Sequence, residues 1–145
     1  MKHKTIIILL LILSTLTGCF GLFDSRSERI TEDYILIWID FQESQCIIKE
    51  WDSSGSGETI IPEYVFAVGH NDDYIIAKQH PTAGFEGRYK INDEITNYYI
   101  IDIKSNTRKT NLNVIGPLTK AEFDTLRTEL KISTLDFDMT YPDNY

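Results

Sequence analysis

Apolar residues from Ile30 onward come in short alternating or continuous runs, the pattern of strands rather than of long helices. Tyr34-Ile35-Leu36-Ile37-Trp38-Ile39-Asp40-Phe41 is rich in β-branched and aromatic residues and predicts a strand. Ile35, Ile37, Ile39 and Phe41 share one face, and Tyr34, Leu36 and Trp38 the other. A strand apolar on both faces is expected to lie centrally, covered on both sides. Gln45 to Trp51 predicts a second strand after the polar turn Gln42-Glu43-Ser44. Thr59-Ile60-Ile61, stopped by Pro62, predicts another, as do Tyr64 to Val68, Tyr74 to Gln79 and Asn97 to Ile103. Between them, Asp52 to Glu58, His70 to Asp73, Pro81 to Gly87 and Lys104 to Thr107 carry Gly, Pro, Asn, Asp and Ser and read as turns or loops. The Ser/Gly stretch lacks the Lys and Ser/Thr of a phosphate loop, and no helix pattern follows it.

One helix is well specified. Thr119-x-x-Glu122 is a capping box, and Leu118 with Phe123 forms the accompanying hydrophobic staple. Phe123, Leu126 and Leu130 then fall on one face, and Lys131 complements the dipole at the C-terminal end. The expected architecture is α+β: an antiparallel meander of five or six strands with one C-terminal helix packed on it. The domain is expected over residues 30–132, with residues 133–145 as a tail.

The N-terminus differs in kind. Met1-Lys2-His3-Lys4 is basic, Thr5 to Leu13 is apolar, and small residues follow, as in an export signal. The run is short of the ~20 apolar residues that a spanning helix needs. Leu16-Thr17-Gly18-Cys19 resembles the lipobox of bacterial lipoproteins. That resemblance implies cleavage between Gly18 and Cys19, a diacylglycerol group on the Cys19 thiol, and an exported, membrane-anchored chain. An ordinary secretory signal with an incidental cysteine is the competing reading. Residues 1–18 are then the signal peptide and residues 19–29 the anchor and tether. A flexible ten-residue tether has a root-mean-square reach of roughly 17 Å, so the domain would ride close to the bilayer.

Within the domain, Asp73-Tyr74-Ile75-Ile76-Ala77-Lys78-Gln79-His80-Pro81, Tyr98-Tyr99-Ile100-Ile101-Asp102 and Gly116-Pro117-Leu118-Thr119-x-x-Glu122-Phe123 together resemble a family of small bacterial lipoproteins known only as a domain of unknown function. The resemblance covers roughly Ile30 to Ile132. It implies an exported, lipid-anchored domain and carries over no catalytic residue.

Charge narrows the partners. The chain of 145 residues carries 14 Lys+Arg and 22 Asp+Glu, a formal charge of -8. Loss of Lys2 and Lys4 with the signal leaves 12 basic against 22 acidic residues, or -10. Nucleic acid, which needs a basic footprint, is excluded as a partner, and electrostatic docking on anionic lipid is disfavoured. With two cysteines, one reserved for lipid, Cys46 has no partner for a disulfide and is expected as a small buried hydrophobe.

Catalytic chemistry is sparse. The chain has no G-x-S-x-G, H-E-x-x-H or C-x-x-C motif. Past the signal the histidines are His70 and His80. His70 with Asp72 and Asp73 forms one short turn without the ligand spacing of a zinc or calcium site, so neither metal nor cofactor is expected. Strand aromatics offer contact area with a polar handle. Trp38, Tyr74, His70 and His80 are therefore the candidate binding residues. The expected function is a non-enzymatic binding or interaction module of the cell envelope with a protein or glycan partner. An envelope-associated hydrolase built on His80 and a small inhibitor or immunity lipoprotein are the alternatives. The sequence leaves open whether the outer membrane or the outer face of the cytoplasmic membrane holds the anchor.

Overall fold

The computed structural model describes residues 25–51, 57–84, 90–105 and 113–141. The signal, Cys19, the Ser/Gly stretch at 52–56 and the second half of the Pro81–Gly87 loop lie outside the described residues. The single meander is not what forms. The described chain is mostly β, with eleven strands in three antiparallel sheets and one short helix. The first sheet holds β1 (Ser25–Arg29), β2 (Tyr34–Ile39), β3 (Cys46–Glu50) and β4 (Gly57–Ile61), side by side in chain order. The second holds β5 (Val65–His70), β6 (Tyr74–Gln79), β9 (Asn97–Asp102), β10 (Val114–Leu118) and β11 (Met139–Thr140), in the order β10-β9-β6-β5-β11. Between β6 and β9 the chain makes a two-strand ribbon of β7 (Thr82–Ala83) and β8 (Lys90–Ile91).

The correction has a physical cause. Strands apolar on both faces need two cover layers, and the one helix supplies cover for one face of one sheet. The first sheet therefore packs on the second. Tyr34, Leu36 and Ile47 meet Val68, Ile75, Ala77 and Ile101 in a buried core between them. Alternation puts Ile76 and Ile100 on the opposite face of the second sheet. There they form a second core with Phe123 of α1 (Lys120–Glu129) and with Ile132. The layers run sheet, sheet, helix. Pro62 marks the division, since it has no N–H to give a ladder and follows β4 directly.

Three polar clasps join the sheets. Gln45 Nε2 donates to the Val65 carbonyl at 2.7 Å, and the Val65 amide donates back to Gln45 O at 2.9 Å. Asn113 Nδ2 donates to Tyr34 Oη at 2.7 Å and to Asp102 O at 2.9 Å. Tyr141 Oη donates to Glu28 at 2.7 Å. Burial and this bond to a carboxylate together push the Tyr141 phenol well above its ordinary range.

The helix start follows the expected chemistry. Glu122 N donates to Thr119 Oγ1 at 3.4 Å, and Thr119 N donates to Glu122 Oε2 at 2.8 Å. Phe123 is the buried anchor, its ring 4.9 Å from that of Tyr98 and 6.1 Å from that of Phe137. The boundaries differ at both ends. Ser25–Arg29, read in sequence as the end of the tether, pairs along β2 from Ser25 opposite Ile39 to Arg29 opposite Ile35. Part of the acidic stretch after Ile132 crosses back to form β11 on the far edge beside β5. Arg127 holds that return, donating to the carbonyls of Ile132, Ser133 and Leu135. Gly69 admits it, because a Cβ there would sit 1.9 Å from the Asp136 carbonyl oxygen.

Phe123→Ala removes the ring that seats α1 on the sheet. The expected loss of stability is ~3–5 kcal/mol, measurable by urea denaturation, with an unchanged midpoint counting against this packing.

Candidate functional site

Helix α1 covers one end of the outer face of the second sheet and stops short of the other. The uncovered end is an open cleft of about 390 Å³ lined by Phe66, Lys78, His80, Asp93, Thr96 and Tyr98. Two ladder features build it. Val65 pairs with Gln79 and Ala67 with Lys78, so Phe66 is the extra residue of a β-bulge, and a bulge re-aims its side chain. Lys78 and Tyr98 face each other across β6 and β9 on the cleft side.

His80 is the fixed point. It is buried, and its backbone exchanges hydrogen bonds with Tyr64 at 2.8 and 2.9 Å. Its ring stacks on Phe66 with centroids 4.1 Å apart and planes 10° from parallel. Its Nδ1 lies 2.7 Å from the Ile95 carbonyl oxygen. A carbonyl only accepts, so Nδ1 carries the proton, and in the neutral ring Nε2 keeps the lone pair. That bond ties down the turn after β8. There Asn92 N donates to Pro81 O at 2.9 Å and Glu94 N donates to Asn92 Oδ1 at 3.2 Å. Asp93 and Thr96 reach the cleft from this turn. On the other side the Lys78 ammonium sits 4.4 Å from the Phe137 ring centroid. The cleft thus combines an aromatic floor, one cation, one carboxylate and two hydroxyls. No serine or cysteine is among its lining residues.

Of the four residues singled out in sequence, only His80 lines this cleft. Tyr74 packs against the core beneath the helix. His70 is exposed at the far end of the β5–β6 hairpin, roughly 17 Å along the strands from His80. Trp38 is half-buried in the first sheet. Asn71 Oδ1 accepts from the amides of Asp73 and Tyr74 at 2.9 and 2.8 Å, and Asp73 pairs with Lys104, so the acidic turn is spent on its own backbone and one lysine. Among the described residues no group of three or more His, Cys, Asp or Glu side chains is placed to hold a metal. Sequence reasoning missed Phe66, Lys78, Asp93, Thr96 and Tyr98 as a group. The ladder register brings them together, and only the His80-Pro81 strand end was visible as a signal.

Residues 31–141 match the model of a family described as "Protein of unknown function (DUF3997)". No curated protein and no solved structure matches the chain. Among the described residues no helix is long and apolar enough to cross a membrane.

Cys46 lies outside the cleft, half-buried on β3. Desolvation, then the neighbouring Glu63 carboxylate, raise its thiol from 9.0 to about 11, and a hydrogen bond with Thr59 opposes them in part. An acid whose folded pKa is raised gives up stability as pH climbs from the unfolded value to the folded one. The expected outcome is a loss of stability that begins near pH 9 and whose onset below pH 10 Cys46→Ala removes, while the raised Tyr141 and Tyr99 phenols still cost stability above pH 10. At pH 8, a disulfide reagent should label the native thiol at least ~100-fold more slowly than the unfolded one, as low thiolate fraction and burial dictate. Equal rates would place Cys46 in a reactive setting.

Proposed function

The chain belongs to this family of unknown function, and we propose that it is a lipid-anchored lipoprotein of the cell envelope whose domain is a non-enzymatic binding module. The lipobox-like Leu16-Thr17-Gly18-Cys19 behind its apolar run supports the anchor. The observation that carries the binding role is the commitment of His80 to structure. One face of its ring is stacked on Phe66 and its Nδ1 is given to Ile95, so the cleft is braced before any ligand arrives. A braced cleft with one cation, one carboxylate, hydroxyls and ring faces suits a small polar segment of an envelope glycan or protein. A hydrolase would need a nucleophile or a paired acid and base beside His80. The residues lining the cleft include no serine or cysteine, and the Nδ1 of His80 is held by the Ile95 carbonyl rather than by a carboxylate.

Two measurements test the proposal. Metabolic labelling with a palmitate analogue should mark the wild-type chain and not Cys19→Ser, and the variant should leave the detergent phase. Capture of envelope material by the detergent-solubilised chain should fall by about tenfold or more in Lys78→Ala and Asp93→Asn, the scale of a lost charge-assisted contact. Capture that ignores both substitutions would remove the cleft from the function.

A further inference from the structure

At one end of the first sheet the chain presents apolar side chains to solvent on a braced turn. Ile39 is 56% exposed and Phe41 41% exposed, with the half-buried Trp38 beside them. The turn is not frayed. Ser44 Oγ lies 2.6 Å from the Phe41 carbonyl and 3.1 Å from the Ile39 carbonyl, and the Ile39 amide donates to it at 3.3 Å. Asp40 adopts the left-handed region at φ 63° to make the corner. A hydrogen-bonded corner that holds two large apolar side chains outward calls for a partner.

The chain leading to the anchor starts at this end, because Ser25, the first residue of β1, pairs directly with Ile39. Ser25 lies six positions after Cys19 in sequence, and an extended chain spans at most ~20 Å over that distance. We infer that the Ile39–Phe41 corner docks into the interfacial layer of the bilayer that holds the anchor. The domain then stands with the Trp38 end of the first sheet down and the Trp51 end up. The inference rests on the lipidated Cys19 proposed above. The contact can be weak and still populated, because a short tether makes it intramolecular at an effective concentration on the order of millimolar. It is apolar in character. Asp40 sits within the corner, Glu43 follows it and Glu63 lies beside Cys46 at the same end; these three carboxylates outweigh Arg26 opposite Trp38, so anionic lipid opposes the contact.

The chain has two tryptophans, and they report opposite ends. Trp51 is 67% exposed just past β3, about six strand residues or ~20 Å from Trp38 along the sheet. The full-length lipoprotein, with acylation of Cys19 checked by mass, is reconstituted into phosphatidylcholine vesicles carrying a nitroxide near the headgroup end of the acyl chain. Trp51→Phe leaves Trp38 as the sole reporter, and Trp38→Phe leaves Trp51. The expected result is quenching of Trp38 at least ~2-fold stronger than of Trp51, as for an aromatic ring at the membrane interface. Phe41→Asp in the Trp51→Phe chain should bring Trp38 down to the level of Trp51 with the acyl mass unchanged. Added phosphatidylglycerol should lower the Trp38 signal. If Trp38→Phe does not fold, the Trp51 signal is obtained as the difference between the wild type and Trp51→Phe. Equal quenching of the two rings on an acylated chain overturns the inference and leaves the anchor standing. So does shielding of Trp38 that depends on protein concentration rather than on lipid, the mark of a second copy. An unacylated Cys19 overturns both.

Discussion

The fold depends on how the crossing from the first sheet to the second is held. Pro62, Glu63, Tyr64 and Val65 carry the chain from the edge of the first sheet into the second, where backbone groups lose their strand neighbours. Three polar residues, all buried, take up the work. Gln45 bonds Val65 in both directions, His80 bonds Tyr64 in both directions, and the Gln79 amide donates to the Glu63 carbonyl. Gln79 in turn accepts from Asn97 Nδ2 at 2.8 Å, so the crossing is fastened to β9 as well as to β6. Buried amides left without partners cost ~1–3 kcal/mol each, so any other register of the two sheets carries that penalty several times over. Burial of Tyr34, Leu36, Ile47 and their partners supplies the drive, and these amides select one arrangement.

The same crossing shapes the cleft. Phe66 follows Val65 directly, and the bulge that releases it from the ladder begins at the residue Gln45 clamps. His80 holds Tyr64 through its backbone and Ile95 through its ring, so one residue spans the crossing and the wall of the cleft. Loss of the ring would loosen the Asp93–Thr96 turn while the sheet remained tied through the main chain.

Much of the local structure was legible because it is written in neighbouring residues. The apolar run at Tyr34–Ile39, the strand Tyr74–Gln79, and the capping box and staple around Thr119 all formed where their chemistry pointed. The partition into two sheets was not, because hairpin patterns say which neighbours pair and not where a meander divides. Apolar residues on both faces of β2 and β6 were the available hint, since a single helix cannot cover so many faces. Strand β1 was illegible for a different reason. Ser-Arg-Ser-Glu-Arg has no apolar alternation, and the strand forms because β2 offers it a free ladder and Tyr141 reaches back to Glu28. Of the cleft, His80 could be picked out before its proline. Asp93 and Thr96 could not, since they arrive through a turn set by Asn92.

The two surfaces read as functional are linked by the crossing that holds the fold. Gln45 follows the Phe41 corner by one short turn, and Val65 precedes Phe66, so the reciprocal Gln45–Val65 bonds place corner and cleft at the same end of the layered domain. They lie on different layers, the corner on the first sheet and the cleft on the outer face of the second. A domain seated on its corner would therefore open its cleft sideways near the bilayer rather than away from it. That geometry favours partners lying along the membrane surface over those arriving from a distance. It also gives the acidic excess of the chain a purpose consistent with a seat made of two apolar side chains. Charge repels the rest of the surface from anionic headgroups, so that contact is confined to the exposed side chains of Ile39 and Phe41, and the Asp40 carboxylate between them reinforces the bias toward uncharged lipid.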